Sequence, residues 1–223
     1  MLLHSILVTS MPDRSVRLDA VCALLLASHL CWPERTRAEP RAFVIDPLRS
    51  RVVVHVGKAG LFKFAGHEHE VVAPLREGEV VADPSDLAHG SVRLAFDAAA
   101  LRLEEEGETP ADVAKIQETM AGSTVLHVLR FAQITFLSDK VGGREISRGV
   151  FELAVSGLLE IRERKERLNL TVRAETLGDT LVATGTAALR QSSFGITPVS
   201  VAGVVKVKDD LAVDFRFEGR ARP

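Results

Sequence analysis

Tyrosine is absent from the 223 residues, and the single tryptophan, Trp32, falls near the N terminus. Beyond that point large aromatic bulk rests on phenylalanine, which brings apolar surface without a hydroxyl or indole donor. Cysteine is as scarce. Cys22 and Cys31 both lie within Ala20–Trp32, an apolar stretch preceded by Arg14 and Arg17. A basic start, an apolar segment of about a dozen residues and a small-x-small exit, here Thr36-Arg37-Ala38, are the parts of a secretory signal. The stretch is too short to span a bilayer. Asp13, Asp19 and His29 depart from the usual signal, and initiation at Met11 gives it more usual proportions. The alternative is an N-terminal helix or anchor. Leu30 and Val21 precede the cysteines where a lipoprotein site wants a small residue. Residues 1–38 are therefore expected to be a signal peptide and 39–223 the mature domain, located in the periplasm or secreted. Cleavage after Ala38 leaves no cysteine, which removes disulfides and thiolate metal sites together.

Further absences narrow the function. Net charge is −2 and no Lys/Arg run occurs, so nucleic acid is not an expected partner. No Gly-x-Ser-x-Gly elbow is present, and no glycine-rich loop precedes a helix, which speaks against a serine hydrolase and against nucleotide use. Ser156-Gly157 and Ser192-Ser193 read as ordinary strand and turn serines, and Glu104-Glu105-Glu106 as a solvated turn. No catalytic residue is assigned. His67 and His69 are two residues apart, so on a strand they share a face and suit a common metal. A third ligand from His55, His127, Glu68 or Glu70 requires the fold to supply it. The bland reading is a pair of polar side chains at the mouth or wall of a cavity.

What the chain does have is alternation. Leu168, Leu170, Val172 and Ala174 share one face and Asn169, Thr171 and Arg173 the other. Leu211–Glu218 and Ser91–Asp97 repeat this pattern, which marks half-buried strands. Weaker strands are expected at Arg51–Val56, Glu70–Ala73, Glu79–Ala82, Gln133–Leu137, Phe151–Ile161, Leu181–Arg190 and Val201–Val207. Gly142-Gly143, Leu177-Gly178-Asp179 and Lys208-Asp209-Asp210 read as turns between them. Short strands at this spacing point to an all-β sandwich or barrel. One segment differs: Val113, Ile116 and Met120 fall at helical spacing. Thr109 suits the N-cap, Pro110 the first turn and Gly122 a left-handed stop, which predicts a helix over 110–121. It is expected to cross the barrel or close one end. Ala183, Gly185 and Ala187 put small residues on one face, consistent with an internal cavity or with close packing of the helix.

Five segments in order resemble the YceI-like family, the lipocalin-like polyisoprenoid carriers of bacterial envelopes. Phe43-Val44-Ile45-Asp46-Pro47 with Ser50-Arg51-Val52 resembles the family's opening, and Gly60–His67 its glycine-containing loop. Val125–Phe136 stands at its helix exit and following strand, Val155–Ile161 resembles its Gly-x-Leu-Thr-Ile segment, and Arg190–Ile196 its Arg-x-x-Phe-Gly-Ile block. The resemblance covers residues 43–218. Ala132 stands for the usual proline, Leu159-Glu160 for a Leu-Thr pair, and Arg162-Glu163-Arg164-Lys165 for a His-Gly-type turn.

The resemblance implies an antiparallel barrel of about eight strands holding a polyprenyl chain or quinone. Phe62, Phe64, Phe131, Phe151 and Phe194 are the candidate lining residues, with Lys58, His67, His69 and Arg190 at the mouth. Of the phenylalanines, three or four are expected to line the cavity and the rest to be core. The bound lipid takes the place of a cofactor. Transient contacts with the membrane or envelope proteins, and a homodimer, accord with such a carrier. The competing readings are a metal- or haem-handling protein built on His67 and His69, and a ligand-free envelope stress module. The signal reading has a direct check. Exported protein should begin at Glu39 by N-terminal sequencing and give no thiol titration, whereas a retained segment leaves two reactive cysteines per chain.

Overall fold

The computed structural model describes residues 40–59, 69–104, 109–201 and 205–222. The elements in chain order are β1 (Arg41–Ile45), β2 (Arg51–Ala59), β3 (His69–Val72), β4 (Leu75–Ala82), β5 (Ser91–Asp97), β6 (Arg102–Leu103), α1 (Pro110–Ala121), β7 (Gln133–Ser147), β8 (Val150–Ile161), β9 (Arg164–Leu177), β10 (Thr180–Arg190), β11 (Ser200–Val201) and β12 (Val205–Ala221). Hydrogen bonding runs β1–β4–β5–β7–β8–β9–β10–β12 and returns to β1, antiparallel throughout. The fold is a closed barrel of eight strands with one helix.

β12 closes the circuit. One of its edges bonds β10 from Thr180↔Arg220 to Arg190↔Asp210. The other bonds β2 up to Arg216↔Arg51 and then β1 from Ile45↔Gly219. β1 and β2 thus lie end to end along a single edge, separated by a turn at residues 46–50. Glu218 ties this corner down. Its amide donates to Ser50 Oγ at 3.1 Å and its carbonyl accepts from Asp46 N at 2.8 Å. Its carboxylate, largely buried, is ion-paired with Arg49 and with Arg216.

The alternating segments face as their pattern predicts: Leu168, Leu170, Val172 and Ala174 of β9, and Leu211, Val213, Phe215 and Phe217 of β12, all turn to the interior. The turn at Leu177-Gly178-Asp179 joins β9 to β10, with Gly178 at φ 59°.

Two other expected turns are strand. Gly142-Gly143 lies inside β7, paired with Ala154 and Leu153. Gly143 takes φ 141°, and a Cβ there would sit 2.2 Å from the Glu152 carbonyl oxygen. The glycine serves a close approach between strands, which single-sequence turn chemistry does not distinguish from a loop. Lys208-Asp209-Asp210 lies inside β12, where the register with β2 shifts between Val207 and Leu211. The polar run marks a bulge. Val201–Val207 is likewise no single strand, since β11 ends at Val201 and β12 starts at Val205.

α1 spans the expected residues, with Thr109 Oγ1 accepting from Asp112 N at 3.2 Å. Gly122 ends it in extended conformation (φ −69°, ψ 171°), not left-handed, with its amide bonded to the Glu118 and Thr119 carbonyls. The left-handed residue of this segment is His127, at φ 50°.

The stripe of small residues has two explanations. Ala183 and Ala187 border open space, whereas Gly185 lies beneath the ring of its cross-strand partner Phe215. A Cβ at Gly185 would come within 2.5 Å of that ring and 2.8 Å of the Thr171 carbonyl. Gly185→Ala should therefore lower stability by about 1–3 kcal/mol, read as a reduced urea midpoint at unchanged slope.

Candidate functional site

Inward alternation on all eight strands leaves an apolar interior that the side chains do not fill. A cavity of about 680 Å³ runs along the barrel. Its wall is Val, Leu, Ile and Ala from every strand of the barrel, with seven phenylalanines: Phe43, Phe96, Phe136, Phe151, Phe194, Phe215 and Phe217. That is more than the three or four expected: Phe136, Phe151, Phe194, Phe215 and Phe217 all line it, and Phe43 and Phe96 face inward as well. Polar groups appear at the two ends. The end near α1 has His69, Asp112, Lys115, Thr119, Arg190 and Gln191, and the opposite end has Arg41, Asp83, Ser91 and Thr176.

α1 lies across the first end. Ile116 and Met120 turn into the cavity, and Val113 packs with them against the core. The helix is fastened by a side chain that mimics a strand. Leu103 N donates to Gln117 Oε1 at 3.1 Å, and Gln117 Nε2 donates to the Leu101 carbonyl at 2.5 Å. Opposite β6, where the ladder between β5 and β7 has run out, one amide thus satisfies a donor and an acceptor of the sheet edge.

The second support of this end is a 3-10 turn, Gln191–Phe194, which directs Phe194 and Gln191 to the cavity. It is held by the bulge of β12. Asp209 accepts from Ser192 N at 2.8 Å and from Ser192 Oγ at 2.5 Å, and Gln191 Nε2 donates to the Lys208 carbonyl at 2.8 Å. The Ser192 hydroxyl, and then its amide, hold the Asp209 carboxyl below the usual carboxylate range. Next to it Arg190 Nε donates to Asp210 Oδ1 at 3.0 Å in an exposed pair. At the opposite end Asp83 is buried and accepts from Ser85 N, Ser85 Oγ and Asp86 N. Arg41 there donates to the Gly178 carbonyl and to Asp179.

Of the residues singled out from sequence, His69, Phe151, Arg190 and Phe194 line the cavity. Phe131 does not. The guanidinium groups of Arg130 and Arg162 lie over its ring, which meets His127 edge-on at 5.6 Å. Phe62, Phe64, His67 and the side chain of Lys58 lie outside the described residues, as does Glu68.

Of the third ligands considered, His55, Glu70 and His127 are described, and none lines the cavity with His69. His55 points to the outer face, with Nε2 2.9 Å from Asp214 and Nδ1 3.4 Å from Glu70. His127 belongs to the Phe131 cluster. Among the described residues no group of three or more His, Cys, Asp or Glu is arranged to hold a metal ion. No helix among them is long and apolar enough to cross a membrane.

Sequence reasoning missed Lys115, Thr119 and Gln117. All three sit on a short amphipathic helix whose polar positions read as solvent-facing until the barrel is known.

The chain matches the YceI-like domain over residues 43–219. Its fold is similar to that of BcnA from Burkholderia cenocepacia, at 19% identity and TM-score 0.60, covering 78% of this chain and 98% of that one. It is also similar to a polyisoprenoid binding domain from Saccharophagus degradans implicated in plant cell wall breakdown, at 12% identity and TM-score 0.58, covering 81% and 98%. The Campylobacter jejuni YceI protein aligns at 12% identity and TM-score 0.50, covering 68% and 85%. No curated protein matches the chain.

The Asp209 contact gives a pH signature with a definite sign. A carboxyl whose folded pKa is depressed contributes stability above its unfolded pKa and loses it as pH falls through the folded value. Asp209→Asn should therefore be less stable than wild type at pH 7. The difference should close below pH 4, followed as urea midpoints across the acid range.

Proposed function

We infer that this chain, which belongs to the YceI-like domain family, binds the apolar chain of an isoprenoid lipid, a polyprenyl or quinone, and carries or stores it in the bacterial envelope. The observation that carries this reading is the cavity itself, apolar along its length and polar only at its ends. Such a shape suits a long hydrocarbon with one polar terminus. A solved neighbour of the same fold is described as polyisoprenoid binding, which supports the ligand class.

Magnitudes agree with this reading. Each buried methylene is worth roughly 0.8 kcal/mol, so ten buried carbons give about 8 kcal/mol before ordering costs. The tail alone can drive binding, and the polar ends need only sort head groups. Phe151 and Phe194 are assigned to the wall. His69 and Arg190, joined by Lys115, are assigned to the end beside α1. Lys58, Phe62, Phe64 and His67, from the adjoining stretch 58–67, are proposed to complete that end. The barrel is assigned no catalytic step. Its periplasmic or secreted location is part of the same proposal, because a lipid carrier with an export signal works outside the cytoplasm.

The test is native mass spectrometry of the purified protein, followed by extraction and titration with a prenyl lipid. Bound prenyl lipid or quinone at one per chain is the expected result. A clean apo mass with no uptake of added lipid would sink the reading. Ala187 borders the cavity, and Ala187→Phe removes room for about four methylenes, or about 3 kcal/mol. Prenyl affinity should fall roughly 100-fold in that variant.

A further inference from the structure

Between α1 and β7 the chain makes a tight turn in which the amides of Arg130 and Phe131 both donate to the His127 carbonyl at 2.9 Å. Leu129 stands at its apex, 98% exposed. Isolated exposed leucines are common and need no reason of their own. The surroundings of this one are unusual.

Three guanidinium groups cluster around Phe131 and Gly195 near this turn. Arg130 lies 5.0 Å from the Phe131 ring centroid, and Arg162, reaching over from the β8–β9 hairpin, lies 5.8 Å from the same ring. Arg162 Nη1 also donates to the Val125 carbonyl at 3.0 Å and to the Gly195 carbonyl at 3.3 Å. Arg164 packs its guanidinium on Gly195, where a Cβ would come 2.7 Å from Nε. Arg162 and Glu163 hold φ 53° and 63°, so the hairpin places these arginines through a backbone that side chains rarely adopt.

None of the three is ion-paired with a carboxylate among the described residues. Several arginines elsewhere on the barrel are paired, as in Arg167–Asp139 at 2.7 Å and Arg173–Glu175 at 2.9 Å. Of the acids on this hairpin, Glu160 is ion-paired with Lys165 at 3.5 Å and Glu163 is exposed. The patch is continuous with the cavity, since Val125, Leu126 and Ile196, which neighbour it in the chain, line the end beside α1.

We propose that this patch docks the barrel on an anionic phospholipid bilayer. Leu129 enters the acyl boundary, and Arg130, Arg162 and Arg164 meet lipid phosphates. Guanidinium groups suit phosphate through paired N–H donors, and an apolar residue beside basic ones is the usual composition of an interfacial anchor. The α1 end of the cavity then faces the membrane, where an apolar chain resides. That orientation rests on the lipid-binding reading above, whereas the docking itself does not.

The experiment is cosedimentation with vesicles of phosphatidylglycerol and phosphatidylcholine against vesicles of phosphatidylcholine alone. A single basic residue near an anionic surface raises binding about fivefold. Arg130→Ala with Arg164→Ala should therefore weaken binding to the anionic vesicles roughly 20-fold. Leu129→Glu should weaken it by tenfold or more. The control pair Arg144→Ala with Arg173→Ala changes net charge equally on the barrel wall and should leave binding within twofold. Every variant carries the same N terminus, so the differences report the patch. Equal binding to both vesicle types, an equal loss in the control pair, or no loss with Leu129→Glu would each overturn the proposal, and a patch that docks a protein gives the first or last of these. Prenyl uptake titrated without vesicles separates the two readings. Uptake without docking removes only the docking, and docking without uptake removes only the ligand.

Discussion

The structure depends on the double pairing of β12. A strand that bonds β10 on one edge and both β2 and β1 on the other converts an open sheet into a ring. Everything else follows from closure. Alternate side chains must then point into a common interior, and their size decides whether that interior is core or space. The Glu218 corner matters for the same reason: it keeps β1 and β2 in line where the chain turns between them, so that β12 meets a continuous partner.

Closure also explains why the ends carry the polar chemistry. Along the wall the backbone is satisfied by neighbouring strands, and the inner face has no need of polar groups. At the rim the strands give way to turns, and backbone donors and acceptors there require side-chain partners. Asp209 on Ser192, Gln191 on Lys208 and Arg162 on Val125 and Gly195 are all of this kind. The residues that shape the cavity's end are first of all residues that hold the turns at the barrel's rim. The polar groups at that end are assembled first for the barrel's own structure.

Sequence carries the repetitive part of this design well. Period-two stretches such as Leu168–Ala174 identify both the strands and their inner faces, since alternation has one physical cause. α1 is legible through its spacing and through Thr109, a local device. What stays hidden depends on distant pairing. Gly142-Gly143 reads as a turn because nothing local reveals that Glu152 crosses beside it, and Lys208-Asp209-Asp210 reads as a turn because a bulge uses the same polar residues. Phe131 shows the limit at the candidate site. An aromatic in a family-like segment resembles a lining residue, yet its neighbours Arg130 and Arg162 draw it into a cluster on the rim. Phe43 and Phe96 show the converse: each faces inward for no reason beyond its place on a strand.

Gln117 has a consequence for self-association. The short edge at β6 is a point where backbone groups lack a strand partner, and an uncovered edge of that kind templates pairing between molecules. By presenting an amide that imitates a neighbouring strand, the helix occupies the place a second chain would take. A barrel with a large apolar interior exposes much that is sticky whenever it loosens. Capping this edge with its own helix keeps that looseness from seeding aggregation.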